Sequence, residues 1–244
     1  ESFSYPDGAL TTVSGGAWAN HSGTAGQVDV AAGKVNLSQL ESEDVNRLLP
    51  GGPFSADTDL YVSFVVNFST VPSGSGTYFA HFKDTGTGFR CRVFAQATGA
   101  ATGKYRLGIG NFSVSAASAV VATDLEANTD YKVVLRFRGA TNSTLWINPT
   151  SESSLVNRAD ATDTSANSYT GTYSFALRQG ATTQGNCTFD DLLIGTAFSD
   201  VQTVGGPPTI SGVNDQHIPA NNSTGPLLFT VDDVETPAAN LVVT

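Results

Sequence analysis

The sequence predicts an all-β protein: a two-sheet antiparallel jelly-roll sandwich followed by a short C-terminal β segment. Three observations carry this expectation. The 244 residues include 25 Gly and 10 Pro, with many Thr, Ser, Val and Asn, a composition that favours short strands and frequent turns. Only 14% of residues are charged, against about 25% in an average soluble domain, so the chain lacks the Glu and Lys that coat helices. The third observation is the stretch 78–107. There Tyr78, Ala80 and Phe82 alternate with Phe79, His81 and Lys83; Phe89, Cys91 and Val93 alternate with Arg90, Arg92 and Phe94; and Tyr105 and Leu107 alternate with Lys104 and Arg106. Successive side chains on a strand point to opposite faces. One face is therefore expected on a core, and the other wet and cationic.

The elements follow in order. Residues 1–10 read as a short strand, with Phe3 and Tyr5 alternating, that ends in a Pro-Asp-Gly turn. Residues 15–26 read as a small-residue loop around Trp18, and Val28, Val30, Val35 and Leu37 fall in two short strands about Gly33. Residues 41–49 are the one place where a helical turn is expected, stopped by Pro50-Gly51-Gly52-Pro53. Residues 59–69 are apolar on both faces, which predicts a central strand. After the three strands of 78–107 come short strands at 116–122, 130–138 and 144–148, a polar loop at 150–167, and strands at 172–178 and 187–195. About a dozen short strands over residues 1–204 point to a sandwich with jelly-roll connections. Residues 205–208 read as a Gly/Pro linker. Residues 209–244 read as the first strands of a second module, too few to bury an independent core.

The formal net charge is -10 and the pI about 4.5, which argues against nucleic acid and anionic membranes as partners. Eight of the twelve Lys and Arg lie between residues 83 and 138. No apolar run is long enough to span a bilayer. With no Met, the sequence is expected to be a trimmed exported chain or one part of a longer one. Cys91 and Cys187 would pair as a disulfide in an oxidising compartment or stay as two buried thiols.

The segments ESFSYPDGAL, YFAHFKDTGTGFRCRVFAQ, TLWINP and FDDLLIG, in that order, resemble the concanavalin A-like lectin/glucanase superfamily, and within it the LamG-type jelly rolls of large exported bacterial proteins. The resemblance covers about residues 1–204. The segment that follows resembles the start of an Ig-like or cadherin-like repeat. What the resemblance implies is an extracellular, secreted or cell-surface location, and a structural calcium ion tying the first strand to the last. Asp190 matches the closing-strand ligand and Glu1 is the nearest N-terminal acid. Asp232, Asp233 and Glu235 are similar to the acidic turns where cadherin-like repeats bind calcium.

Catalytic readings are weak in the sequence. Glycosidases need two carboxylates across the scissile bond, and the hydrolases of the superfamily carry them as Glu-x-Asp-x-x-Glu on one concave strand. The nearest match, Glu41-Ser42-Glu43-Asp44, sits in a polar segment and reads as a solvated turn. Lyases of this fold carry Gln with His on one strand, and that pair is missing. His21, His81 and His217 are isolated in sequence and have no metal-ligand spacing. The candidate binding residues are His81, Lys83, Arg90, Arg92, Arg106, Arg136 and Arg138, a groove for carboxylated or sulfated sugars in which Arg would make bidentate contacts.

The expected function is thus a non-catalytic extracellular recognition or adhesion protein that binds an acidic polysaccharide or matrix glycan. The alternatives are a structural subunit of a filament or surface layer, assembled through its C-terminal strands, and a polysaccharide lyase or hydrolase.

Overall fold

The structure is a computed structural model that describes residues 1–86, 88–112, 114–139, 141–164, 169–202, 209–210, 212, 217–224, 226–227 and 229–232. The chain divides into two units, Glu1–Val201 and Gln202–Thr244. The first unit holds β1 (Gly8–Ala9), a single helical turn at Leu10–Val13, β2 (Ala19–Ser22), β3 (Asp29–Ala31), β4 (Lys34–Leu37) and β5 (Asp44–Leu48). Next come β6 (Asp59–Thr70), β7 (Thr77–Asp84), β8 (Phe89–Gln96), β9 (Arg106–Gly110) and β10 (Ala119–Val120). The unit closes with β11 (Tyr131–Arg138), β12 (Asn142–Ile147), β13 (Arg158–Ala161), β14 (Thr172–Leu177), β15 (Asn186–Gly195) and a 3-10 turn at Phe198–Val201.

The strands form two antiparallel sheets. One has eight strands in the order β1-β3-β4-β15-β6-β11-β12-β13, and the other has seven in the order β10-β9-β8-β7-β14-β5-β2. The predicted sandwich is therefore observed. β6, apolar on both faces, lies between β15 and β11, where a strand has no solvent-facing edge. Leu60, Val62, Phe64, Val66 and Phe68 enter the main core. Tyr61 lies on the other face, in a small cluster with Val134, Trp146 and Val201 that docks the 3-10 turn.

Aromatic rings join the sheets. Phe64 stacks on Phe189 at 4.5 Å within the eight-stranded sheet and meets Phe79 of the other edge-on at 6.2 Å. Phe68 reaches Tyr105 at 4.8 Å, and Phe82 meets Phe137 of β11 at 5.7 Å. Each buried Phe contributes roughly 1.5–3 kcal/mol by area alone, and the edge-on contacts add to this.

Three sequence expectations are corrected, and the cysteines take one of the two states left open. Residues 44–48 form strand β5, not a helical turn, because Val45 is buried in the core and the segment hydrogen-bonds between β14 and β2. The loops expected at 15–26 and 150–167 contain the edge strands β2 and β13, whose polar side chains hide them in composition. In residues 1–10 only Gly8 and Ala9 form a strand, paired with β3, while Glu1 exchanges backbone hydrogen bonds with Leu192 at 2.7 and 2.9 Å. Cys91 and Cys187 are both free: they lie on β8 and β15, strands of opposite sheets, buried in one core. Burial pushes the Cys91 thiol up to about 12 and raises Cys187 as well.

In the second unit β16 (Thr209–Ile210) pairs antiparallel with β17 (Val231–Asp232). The linker expected at 205–208 and the part of the second module from residue 233 on, with Asp233 and Glu235, lie outside the described residues.

Candidate functional site

On β7 of the seven-stranded sheet Phe79, Ala80 and Phe82 enter the core. The register with β8 shifts between Tyr78 and Ala80, so alternation from Ala80 onward places His81 and Lys83 on the outer face, where Tyr78, before the shift, packs edge-on against His81. On β8 the alternation is broken. Cys91 has φ 50° and sits at a bulge where the register with β7 shifts between Ala80 and Phe82. Such a bulge inserts one residue and re-aims its neighbours. Phe89 pairs with Lys83 on the outer side of the bulge, and beyond it Cys91, Val93 and Ala95 are in the core, leaving Arg92 outward. β14 continues the face through Ser174, opposite Lys83, and Ala176, opposite His81. Arg178 follows β14, and β2 at the sheet edge supplies His21.

These side chains stack on one another. The Arg92 guanidinium lies 4.1 Å from the Tyr78 ring centre and 5.1 Å from that of Phe89, and Arg178 lies 4.5 Å from the Tyr78 ring. The His81 ring is 4.3 Å from Phe89, 5.4 Å from Tyr78 and 5.9 Å from His21. Arg92 donates to Val114 O at 2.8 Å, Arg178 to Thr77 Oγ1 at 2.9 Å, and Lys83 to Gly86 O at 2.6 Å. Burial drives the His81 pKa down to about 3, and the nearby cations add to this, so its imidazole is neutral. Burial, then Lys83, lowers His21 too, and burial lowers Arg92.

Charge balance sets this face apart. Eight of the twelve Lys and Arg have a carboxylate oxygen within 4.0 Å. Of the other four, Lys83, Arg92 and Arg178 meet here, and among the described residues none of the three is in an ion pair. Like charges gathered on a half-buried face raise the free energy of the empty protein, and an anion between them would lower it.

The structure brings His81, Lys83 and Arg92 together and separates the other predicted residues. Arg90 lies on the inner side of the bulge, opposite Phe82, buried, 3.5 Å from Asp84 and over the Phe112 ring at 4.7 Å. Arg106 is engaged with Asp124 at 2.6 Å. Arg136 and Arg138 belong to β11 in the opposite sheet, because the chain crosses over between β10 and β11. Arg136 bonds Glu152 at 3.0 Å, and Arg138 grips Asp59 with two bonds of 2.8 and 2.9 Å. The Glu1 carboxylate accepts from Phe3 N, Tyr5 Oη and Arg47, while Asp190 accepts from Asp191 N and stands near Lys34 and Asp130, its pKa raised mainly by burial. Among the described residues no group of three or more His, Cys, Asp or Glu gathers as a metal cluster.

Sequence reasoning missed Tyr78, Phe89 and Arg178 as site residues. It set His21 aside as isolated, although β2 carries it beside His81. Glu43 and Asp44, expected in a solvated turn, are buried. Glu43 accepts from Val28 N at 2.8 Å, and Asp44 from Gln179 N at 3.1 Å. Burial lifts Asp44 to about 6.

No protein-family profile and no curated protein matches the chain. Solved structures do. An alginate lyase from Alteromonas sp. 272 aligns at 9% identity over 78% of this chain and 98% of its own, with a TM-score of 0.45. An alginate lyase from Pseudomonas aeruginosa aligns at 10% identity over 74% of this chain and 98% of its own, with a TM-score of 0.45. The exoplasmic/lumenal domain of VIP36, in a form bound to Ca2+ and mannose, aligns at 14% identity over 77% and 86%, with a TM-score of 0.43. These likenesses concern the jelly-roll sandwich alone. They also correct one expectation. The chain was expected not to be an enzyme, yet alginate lyases stand among the structures it is similar to, so the sandwich gives no ground for excluding catalysis.

Proposed function

We propose that this chain is a carbohydrate-binding sandwich of the concanavalin A-like kind, exported from the cell, which takes acidic glycans on the outer face of its seven-stranded sheet. The observation that carries the reading is the stacking of Arg92 and Arg178 on Tyr78, with Arg92 also over Phe89 and Lys83 opposite Phe89 on the neighbouring strand, none of the three cations having a carboxylate partner among the described residues. The half-buried rings hold the guanidinium planes in place by stacking, and guanidinium groups pair with carboxylate or sulfate. Calorimetric titration with a polyuronate, and with a neutral glucan as control, tests it. Arg92→Ala and Arg178→Ala should each weaken polyuronate binding about ten-fold or more, the worth of one charge-assisted hydrogen bond. Equal binding of the neutral glucan, or unchanged affinity in both variants, would remove the proposal.

A second reading is favoured by the neutral His81. Its Nδ1 lies 3.0 Å from Phe82 O, and its buried Nε2 has no partner among the described residues. Taking a proton from the carbon beside a uronate carboxylate, the step that opens β-elimination, would need an imidazole more basic than burial leaves His81, and a uronate carboxylate bound among these cations would raise its pKa in that direction. Phe89 would have to swing aside to admit the sugar. Ultraviolet absorbance of an unsaturated product, released from polyuronate by the native chain and lost in His81→Ala, would support a lyase; its absence from the native chain excludes this reading.

A calcium ion shared by Glu1 and Asp190 would have to displace Arg47 from the Glu1 carboxylate. Melting curves with and without calcium decide the matter, because an ion bound only by the folded state must raise Tm.

A further inference from the structure

A separate cavity of about 720 Å³ opens where the two sheets fail to close on each other. Its apolar wall is drawn from both sheets and the loop after β5: Leu49, Phe54, Leu60, Phe175, Leu192 and Ile194. Leu60 and Phe175 are otherwise core residues, so the cavity is a gap in the interior reachable from outside. The polar groups at its rim are Arg47, Glu1, Tyr5 and Asp200. They are held by bonds of their own: the Glu1 carboxylate accepts from Tyr5 Oη at 3.0 Å and from Arg47, and Asp200 Oδ2 accepts from Thr196 N and Ala197 N, both at 2.9 Å. Walls and rim are thus formed before any ligand arrives, and the volume is that of a small-molecule site.

We propose that this cavity is a binding site for a small amphiphile with an apolar body and a positively charged head. The walls select the body, since open apolar surface on both sides would be removed from water. The rim selects the head. It carries two carboxylates against the Arg47 guanidinium and the Glu1 ammonium, and both cations are engaged, Arg47 with the Glu1 carboxylate and the ammonium with Leu192 O at 2.7 Å, its pKa lowered mainly by burial. An anionic head would meet Glu1 and Asp200 with both cations of the rim already engaged, whereas a cationic head finds spare carboxylate lone pairs. This site uses none of the residues assigned to acidic glycans, and the two proposals stand or fall separately.

The test is calorimetric titration of the chain with decyltrimethylammonium below its micellar concentration, with decanoate as the counterpart of equal length. The expected result is one saturable site for the cation and binding at least about ten-fold weaker for decanoate, the difference a single charge pair makes. Ile194→Asn, in the wall, and Asp200→Asn, which keeps an acceptor for the two N–H groups, should each weaken the cation. Leu48→Asn, at an exposed position lining the cavity, should do so without threatening the fold. Circular dichroism confirms that each variant is folded. No saturable binding, equal affinity for both heads, or unchanged affinity in all folded variants would overturn the proposal.

Discussion

His81 is a group whose protonation the fold opposes. Its native pKa is pushed to about 3 from an ordinary value of 6.5, so between those values the unfolded chain binds the extra proton and the native one does not. Stability is then complete above about pH 6.5 and is lost as pH falls, by an amount on the order of a few kcal/mol. Asp44 works in the opposite sense. Its native pKa, about 6, lies above the usual 3.8, so its contribution is present below the unfolded value and is lost as pH rises through about 6. Urea melts across this range separate the two: His81→Phe should flatten the loss of stability towards acid, and Asp44→Asn should remove the loss towards neutrality. If His81→Phe kept the full acid dependence, the imidazole would not be its source. In the core, Phe64 touches rings of both sheets, and Phe64→Ala should cost about 3–5 kcal/mol in a denaturant melt.

The strands of residues 78–107 were legible because alternation is a direct image of the pleat. The bulge at Cys91 was not, because one inserted residue leaves the pattern of letters intact while sending Arg90 inward and leaving Arg92 outward. Arg90 then serves the turn between β7 and β8. Asp84, its partner, accepts from Gly86 N at 2.8 Å and Gly88 N at 2.9 Å. A Cβ at Gly88 would run into the Asp84 carboxylate. Gly88→Ala should therefore lower stability by about 1–3 kcal/mol, read as a shift of the thermal midpoint, through loss of hydrogen bonds to a buried charged group. β2 and β13 were invisible for another reason: edge strands carry polar side chains and short lengths, which composition assigns to loops. β5 was masked by the acids at its start, Glu43 just before it and Asp44 within it, whose carboxylates receive backbone N–H groups of neighbouring segments.

For the whole molecule, fold class was written in turn frequency, charge scarcity and alternation, but which sheet each strand joins was not. Arg136 and Arg138 carry the same letters as Arg92 and still belong to the opposite sheet, because a crossover is a property of the path between strands. The site was legible to that extent only: His81, Lys83 and Arg92 from one hairpin, while His21 and Arg178 arrive from strands distant in sequence. The first unit, Glu1–Val201, contains the whole main core. A chain ending at residue 202 should unfold with an unchanged thermal midpoint, and a large drop in that midpoint would show that the remaining residues stabilise the sandwich. The two thiols give this sandwich a chemical clock. Cys91 hangs from one sheet and Cys187 from the other, both buried and both held in the unreactive protonated form. A thiol reagent can modify them only when the sheets part, so labelling would count openings of the interior. Equal labelling rates at the two positions would mean that the sheets separate as one event, and unequal rates would reveal which sheet loosens first.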